Sequence, residues 1–257
     1  MRGRASLPWP SLAAALVLAG CGSEAGDTSR TDSDPVPRSA APAPAPPSAS
    51  AAIVRARPDE TLGARVVRRT AVLARPSPGS RVLFRVGRRT EFDSPAVMAV
   101  MRQRGRWIGV SWPDLPNGSV GWVRQERVEL LRELWRIDVD LSDRRAVLRR
   151  KGTRIRSFPV AVGAPGTSTP PGRYGVTDRL TTGGPDSSYG CCVLALSGRQ
   201  PNVPQDWPGG DRLAIHGTSA PASIGQAASA GCLRASEESM RLLIAKVPLG
   251  TQVVIRP

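Results

Sequence analysis

Two side chains of this sequence combine the chemistry of a nucleophile with that of its base. His216 is the single histidine of the chain, and Cys232 follows it. A free cysteine thiol has a pKa of about 8.5, so it needs an imidazole or a comparable cation to react near neutral pH. Gly217 and Gly231 flank the pair, where backbone N–H groups can approach a developing oxyanion without a Cβ in the way. The pattern predicts acyl transfer through Cys232, with His216 as its base.

Each of the two residues also has a simpler interpretation. A single histidine is often a hydrogen-bonded residue of the core or surface, and a cysteine is often a small buried apolar residue. One histidine and the adjacent Cys191 and Cys192 do not form a ligand set of the usual spacing. We therefore expect no metal and no other cofactor.

The elements that must position these residues are predicted to be strands. Apolar and polar residues alternate at 135–141 and 146–148, and residues 158–163 predict a further strand. A closing strand is predicted at 252–255.

One helix is predicted late in the chain. Ser236 is a candidate N-cap, and Glu237 and Glu238 favour the first turn. Pro248 and Gly250 end it. The predicted buried stripe is Met240, Leu243 and Ile244.

Residues 61–132 are predicted to form a small β-barrel. Short runs rich in β-branched and aromatic residues occur at 66–67, 70–73, 82–86, 97–101, 107–112 and 121–123. The final part, from 106 to 123, resembles the bacterial Src-homology-three-like domains found beside wall enzymes. We expect Trp107, Trp112 and Trp122 to pack in the core and hairpins rather than to form a ligand-binding face.

The amino terminus has the features of an export signal. Arg2 and Arg4 precede an apolar run at 12–20. The run is shorter than the ~20 residues that a membrane-spanning helix needs. Residues 1–20 are therefore predicted to be a signal peptide.

The sequence Leu18-Ala19-Gly20-Cys21 resembles the lipobox of bacterial lipoproteins. The resemblance implies that Cys21 becomes a lipid-bearing N-terminus, and the alternative is a signal peptide without lipidation. Residues 21–60 are rich in Pro, Ala and Ser, which predicts a disordered, extended tether. We expect an exported protein, lipid-anchored to a bacterial membrane and facing the cell wall or periplasm.

The remaining cysteines are odd in number. With Cys21 lipidated, Cys191, Cys192 and Cys232 remain in an oxidising compartment, so at least one thiol must be free. Adjacent cysteines bridge one another only with strain, because one peptide bond brings their Cα atoms closer than disulfide geometry prefers. We expect Cys191 and Cys192 to be small buried residues rather than a redox pair.

The chain is strongly basic, with 36 Lys and Arg against 21 Asp and Glu and a formal net charge of +15. Nucleic acid, anionic lipid and acidic wall polymer are the partners that such a charge can attract. The cationic residues are scattered, which is typical of a solvated surface. Export conflicts with a nucleic-acid partner, so we expect none.

The surroundings of the candidate pair resemble the YkuD-type L,D-transpeptidases of bacterial cell walls. The family pattern places a His-Gly pair before an Ile-Gly pair and then Ser-x-Gly-Cys-Ile/Leu-Arg. This chain has these at 216–217, 224–225 and 229–234. Residues 169–174 and 248–253 resemble the family's Thr-Pro-x-Gly turn and closing strand, so the resemblance covers 135–257.

The resemblance implies a mainly β chain, in which the small barrel is followed by a YkuD-type β-sandwich catalytic domain at 133–257 with one or two short helices. Cys232 would form a thioester with the third residue of a peptidoglycan stem peptide, releasing D-Ala, and an amine acceptor would complete a 3-3 cross-link. The Gly217 carbonyl would orient His216, and N–H groups of Gly231 and Cys232 would hold the oxyanion. We expect a monomer.

Four further residues are candidates for substrate binding. Arg234 is a candidate for gripping a carboxylate, and a structural salt bridge is the alternative. Ser229 is a candidate for hydrogen bonding in the site or for capping its loop. Thr218 follows the His-Gly pair, and Tyr189 matches an aromatic residue near the family's substrate groove.

The chain departs from the family pattern at Ala230, where many members have a second histidine. That leaves the precise activity open, with an L,D-carboxypeptidase as the alternative when water is the acceptor. Papain-like and NlpC-type peptidases place cysteine before histidine, and the Thr-Leu-x-Thr-Cys strand of sortases is absent. Outside enzyme chemistry, the alternative is a non-catalytic lipoprotein that binds wall polymer.

Overall fold

The computed structural model describes residues 57, 59–203 and 210–257. All described residues belong to a single compact unit. The predicted signal peptide, Cys21 and nearly all of the predicted tether lie outside the described residues. Within the described ranges, no helix has the length and apolar character needed to cross a membrane.

Seven antiparallel strands form one sheet, named here the N-terminal sheet. They are β1 (Thr61–Val66), β2 (Thr70–Leu73), β3 (Val82–Val86), β4 (Val97–Arg104), β5 (Trp107–Ser111), β6 (Gly121–Arg124) and β7 (Val128–Glu133). Their order in the sheet is β3-β2-β6-β5-β4-β1-β7. Five of the six runs predicted from β-branched and aromatic residues coincide with strands of this sheet to within a few residues, whereas the run at 66–67 shares only Val66 with β1.

The N-terminal sheet has its own hydrophobic core, which includes Ile108, Val110 and Val123. Trp107 and Trp112 are buried as predicted, and the Arg124 guanidinium lies 4.3 Å from the centroid of the Trp107 ring. The Src-homology-three-like assignment stays a prediction.

The rest of the chain forms the second set of strands. They are β8 (Trp135–Asp140), β9 (Arg145–Arg150), β10 (Thr153–Pro159), β11 (Val162–Gly163), β12 (Gly172–Thr181), β13 (Cys192–Arg199), β14 (Arg212–His216), β15 (Ala227–Ser229), β16 (Leu233–Arg234) and β17 (Gln252–Arg256). Eight of them make the C-terminal sheet, in the order β10-β9-β8-β17-β12-β13-β14-β16. β11 and β15 pair separately in parallel.

The prediction of a mainly β chain is confirmed, with one correction. The single strand expected at 158–163 is two strands, because the chain leaves β9 after Pro159 and pairs again with β15 at Val162.

The predicted helix is α1 (Glu237–Lys246), and it is the one α-helix of the described ranges. The Ser236 side chain accepts a hydrogen bond from the Ser239 N–H, so the predicted N-cap is confirmed. Met240 and Leu243 are fully buried in the core of the C-terminal sheet, while Ile244 is only partly buried. The helix packs on β13, the strand next to β14.

The two sheets meet at a close junction. A Cβ on Gly175 of β12 would lie 2.5 Å from the Ala99 Cβ of β4, so only glycine fits there. The Ser111 and Ser197 hydroxyls share a hydrogen bond across the junction, and the Gln252 side-chain amide donates to the Val100 carbonyl at 2.8 Å. Both sheets therefore belong to one packed unit.

Candidate active site

The candidate nucleophile and base lie on neighbouring strands. His216 is the last residue of β14, and β16 runs parallel to it with Ile215 opposite Leu233 and His216 opposite Arg234. Cys232 immediately precedes β16, so its side chain lies beside β14. Its Sγ is 3.6 Å from the Arg212 carbonyl oxygen, and among the described residues the imidazole is not a hydrogen-bond partner of this sulfur.

The imidazole of His216 is fixed on two sides. Its Nδ1 lies 2.5 Å from the Gly217 carbonyl oxygen, which accepts the hydrogen bond only when Nδ1 carries the proton. The ring of Tyr189 packs edge-on against it, with 5.0 Å between the ring centroids. This tautomer leaves Nε2 unprotonated, which is the form that a general base requires.

Burial sets the protonation states of both groups. Burial lowers the pKa of His216 to about 4. The hydrogen bond to Gly217 opposes this change, whereas the positive charge of Arg234 adds to it. Burial raises the pKa of the Cys232 thiol, against the lowering effects of the Ala214 N–H and Arg234. At neutral pH the resting pair is therefore a thiol and a neutral imidazole. The proton must transfer to the imidazole as the sulfur attacks.

The turn before Cys232 requires glycine at position 231. Gly231 has φ of +119°, and a Cβ there would lie 2.2 Å from Nε2 of Gln200. Gln200 is buried and donates through that nitrogen to the carbonyls of Thr167 and Ser168, at 2.8 and 2.9 Å. The Thr169 hydroxyl donates to the Gly231 carbonyl at 2.8 Å. Sequence reasoning missed Gln200 because no motif marks it, whereas Thr169 stood in the quoted Thr-Pro segment.

The Gly231 N–H is not a free oxyanion donor, so that part of the prediction is wrong. It donates to Ser229 Oγ at 3.1 Å, because the turn folds the amide back onto the hydroxyl. The same hydroxyl donates to the Cys232 carbonyl at 2.6 Å, which gives Ser229 the loop-capping role. The Cys232 N–H has no hydrogen-bond partner in the described part of the chain and stays a candidate.

Arg234 has no carboxylate partner among the described residues, so the alternative of a structural salt bridge is wrong. Its Nη1 donates at 3.4 Å to the Ala228 carbonyl, and its Nε is buried without a partner. Thr218 accepts a hydrogen bond from the Ala220 N–H at 3.0 Å, so it caps the turn after the His-Gly pair. Tyr189 is one of the exposed large side chains, 36% exposed, beside His216.

The expectation for Cys191 and Cys192 is wrong in one respect. Both are buried as expected, but a disulfide joins them, with Cα atoms 3.8 Å apart. The chain turns at Gly190, with φ of +62°, just before the pair. This Cα separation is the one that a trans peptide bond fixes, and although it is shorter than disulfides usually have, the bond forms. Among the described residues, Cys232 is the free cysteine.

No group of three or more His, Cys, Asp or Glu side chains within 57, 59–203 and 210–257 is arranged to hold a metal ion. The site offers a partly buried thiol, an oriented imidazole and a guanidinium without a carboxylate partner among the described residues.

The comparisons with known proteins identify this region. The model of the YkuD family, described as an L,D-transpeptidase catalytic domain, matches residues 134–255. Residues 134–255 are therefore similar in sequence to the catalytic domain of that family. A putative L,D-transpeptidase YkuD from Bacillus licheniformis is 35% identical over 123 residues, and that from Bacillus subtilis is 33% identical over 121 residues.

These matches cover 48% and 47% of this chain, and 66% and 65% of the two relatives. Among solved structures, an L,D-transpeptidase from Mycobacterium smegmatis is similar with a TM-score of 0.40 and 16% identity. That similarity covers 61% of this chain and 80% of the other.

Proposed function

We propose that this protein is a peptidoglycan L,D-transpeptidase that uses Cys232 as its nucleophile. The observation that carries the proposal is the placement of a free thiol beside β14, whose last residue is the single histidine with Nδ1 held by the Gly217 carbonyl. The match of residues 134–255 to the YkuD family model supports the same activity.

In the first half-reaction, the Cys232 sulfur attacks the carbonyl carbon between the third residue of a stem peptide and the D-Ala that follows. Nε2 of His216 takes the thiol proton during the attack. The Cys232 N–H is the candidate donor to the oxyanion. The imidazolium then returns the proton to the departing amine, D-Ala leaves, and a thioester remains.

In the second half-reaction, the amine of a neighbouring stem peptide attacks the thioester. Nε2 takes a proton from that amine and returns it to the sulfur as the new amide forms. The product is a 3-3 cross-link, and water in place of the amine would make the enzyme an L,D-carboxypeptidase. Arg234 is the candidate to bind a substrate carboxylate, because no carboxylate of the described residues neutralises its guanidinium.

The nucleophile is tested by acylation. We expect a carbapenem to add its mass to the purified protein and not to a Cys232→Ala variant that unfolds at the same temperature. A folded wild-type protein that takes up no adduct would contradict the proposal.

The acceptor is tested in cells. Muropeptides from cells with active or inactivated Cys232 differ in mass according to whether stems are joined to stems, joined to protein or trimmed. The proposal requires 3-3 dimers that depend on Cys232, and trimmed stems alone would assign the carboxypeptidase.

We also propose that the protein works outside the cytoplasm on a lipid anchor at Cys21, with 61–132 as a Src-homology-three-like domain. The amino-terminal sequence pattern and the separate core of the N-terminal sheet support these assignments. Metabolic labelling with palmitate should mark the wild type and not a Cys21→Ser variant. Label on both would place the lipid elsewhere.

A further inference from the structure

One carboxylate touches both segments that hold the imidazole of His216. Glu237, the first residue of α1, accepts the Cys191 N–H through its two oxygens, each at 3.1 Å. Its Oε1 occupies space that a side chain at either of two glycines would need. A Cβ added to Gly190 would lie 2.1 Å from this oxygen, and a Cβ added to Gly217 would lie 2.3 Å from it. The carboxylate therefore fills the space above both glycines.

These two glycines belong to segments that contact each other directly. A Cβ on Gly190 would fall 2.5 Å from the Gly217 Cα, so the backbones meet without intervening side chains. The Gly217 carbonyl holds Nδ1 of His216, and Tyr189, next to Gly190, packs its ring on the imidazole. A shift of either segment would change the direction of the imidazole.

The contacts of Glu237 are specific to that side chain. No Lys or Arg pairs with it in the described ranges, whereas the next residue, Glu238, pairs with Arg156 at 2.7 Å. The helix is capped by Ser236, so α1 does not depend on Glu237 for its N-cap. The contacts of the Glu237 carboxylate are therefore with the 190–191 segment and with Gly217.

We propose that Glu237 is a positioning residue for the general base, and that it acts by locking the 189–191 and 216–217 segments together so that the Gly217 carbonyl keeps the proton on Nδ1 of His216. The proposal rests on the proposed function for its catalytic consequence. Its structural part concerns the tautomer of His216 and holds independently.

Removing the carboxylate should loosen the imidazole without unfolding the protein. In Glu237→Ala the Cys191 N–H loses its acceptor and a gap opens over the two glycines. We expect the acylation rate constant to fall about tenfold to a hundredfold, as small misplacements of a catalytic group do, with little change in the apparent affinity for the acylating compound. Glu237→Gln keeps the shape and one acceptor oxygen, so it should retain most of the rate.

Glu238→Ala is the matched control. It removes an equivalent charge from the same helical turn, so any effect on the helix dipole is shared. Its carboxylate is 75% exposed and does not contact the His-Gly segment. We expect its acylation rate to stay within about twofold of wild type, since an exposed ion pair contributes little.

The experiment combines carbapenem acylation kinetics with ¹⁵N NMR of the imidazole, in protein without a histidine tag. Because His216 is the single histidine, its two nitrogens give the single pair of imidazole signals. We expect wild type, Glu237→Gln and Glu238→Ala to show Nδ1 protonated, and Glu237→Ala to show mixed tautomers and slow acylation.

Two outcomes separate the two proposals. If Glu237→Ala matches Glu238→Ala in both tautomer and rate, the positioning role is overturned. If no variant is acylated but Glu237→Ala still shows mixed tautomers, the positioning role stands and the proposed activity fails.

Discussion

The surroundings of Cys232 and the junction between the two sheets are held by different kinds of contact. Around Cys232 and His216, backbone groups and small residues dominate, as in the hydrogen bond from Nδ1 to the Gly217 carbonyl. At the junction, side chains far apart in sequence bind one another, as in the hydrogen bond of Thr90 to Asp178 at 2.5 Å. The first region depends on chain shape and the second on charge and side-chain pairing.

Arg212 belongs to both regions. Its carbonyl oxygen lies near Cys232 Sγ, while its guanidinium binds the fully buried Asp178 at 3.3 Å and Glu91 of the N-terminal sheet's 86–97 connection at 2.7 Å. The strand beside Cys232 is therefore anchored from the N-terminal half of the molecule. The following predictions test how separate the two regions are.

Asp178→Ala should give the largest effect, because it leaves the Arg212 guanidinium without its buried counter-charge. We expect a loss of about 3–5 kcal/mol in the free energy of unfolding, measured by urea denaturation. The matched control is Asp211→Ala, which breaks the half-exposed pair with Arg199 and should cost at most about 1 kcal/mol. Equal losses in the two variants would show that the junction is not held by the buried carboxylate.

Gly231→Ala tests the dependence of the site on chain shape. The new Cβ would meet Gln200 in a backbone conformation that disfavours it. We expect a cost of about 3 kcal/mol in unfolding and a fall of about a hundredfold in acylation. Gly225→Ala is the control, since it also has positive φ, +84°, but no atom within 4 Å of its Cβ. Similar results for both glycines would exclude the contact with Gln200 as the cause.

Glu133 of the N-terminal sheet and His216 of the candidate site should make the free energy of unfolding depend on pH in opposite directions. Burial raises the pKa of Glu133, at the end of β7, from 4.5 to about 7, so its contribution to stability is lost as pH rises through 7. The pKa of His216 is lowered to about 4, so its contribution is lost as pH falls from 6.5 through 4. The gain in unfolding free energy of Glu133→Gln over wild type should therefore be about 2 kcal/mol larger at pH 8 than at pH 4.5.

The pH prediction is measured by urea denaturation at several pH values. In Glu133→Gln the pH dependence that comes from His216 remains, so the free energy of unfolding of this variant should rise between pH 4 and 6.5. A variant whose stability follows the wild-type curve at every pH would rule out Glu133 as the titrating group.

Thr90→Val gives the smallest effect. It removes one of the hydrogen bonds to Asp178 while the Arg212 contact remains, so we expect a loss of about 1 kcal/mol. Acylation by a carbapenem should be unchanged within error. A marked loss of acylation would mean that the junction controls the nucleophile directly.

The strands and the candidate pair His216 and Cys232, which the structure places at neighbouring strands, could be predicted from sequence because their signals are local. The β-branched runs gave β2 and β3 correctly, and the cap at Ser236 gave the start of α1. Gly231 was recognised as special, although its N–H was assigned to the wrong partner. A motif shows that glycine is needed, but not which acceptor the amide meets.

The contacts that remained unpredicted join residues distant along the chain. Asp178 and Arg212 reveal their pairing only after β12, β13 and β14 form the sheet, and Gln200 reaches Gly231 from another loop. The Cys191–Cys192 disulfide joins adjacent residues, a pairing that the usual Cα separation of disulfides argues against. Sequence pattern therefore predicts the strands and the candidate site residues better than the distant side chains that contact them.

The glycine contact at the sheet junction has a consequence for building hybrid enzymes. Gly175 and Ala99 leave no room for larger side chains, so the surfaces of the two sheets are sterically complementary at this point. A catalytic segment transplanted onto a different amino-terminal module should fold well only if the new partner offers an equally small residue at that point. Modules of this kind would have to be exchanged together with their contact surface.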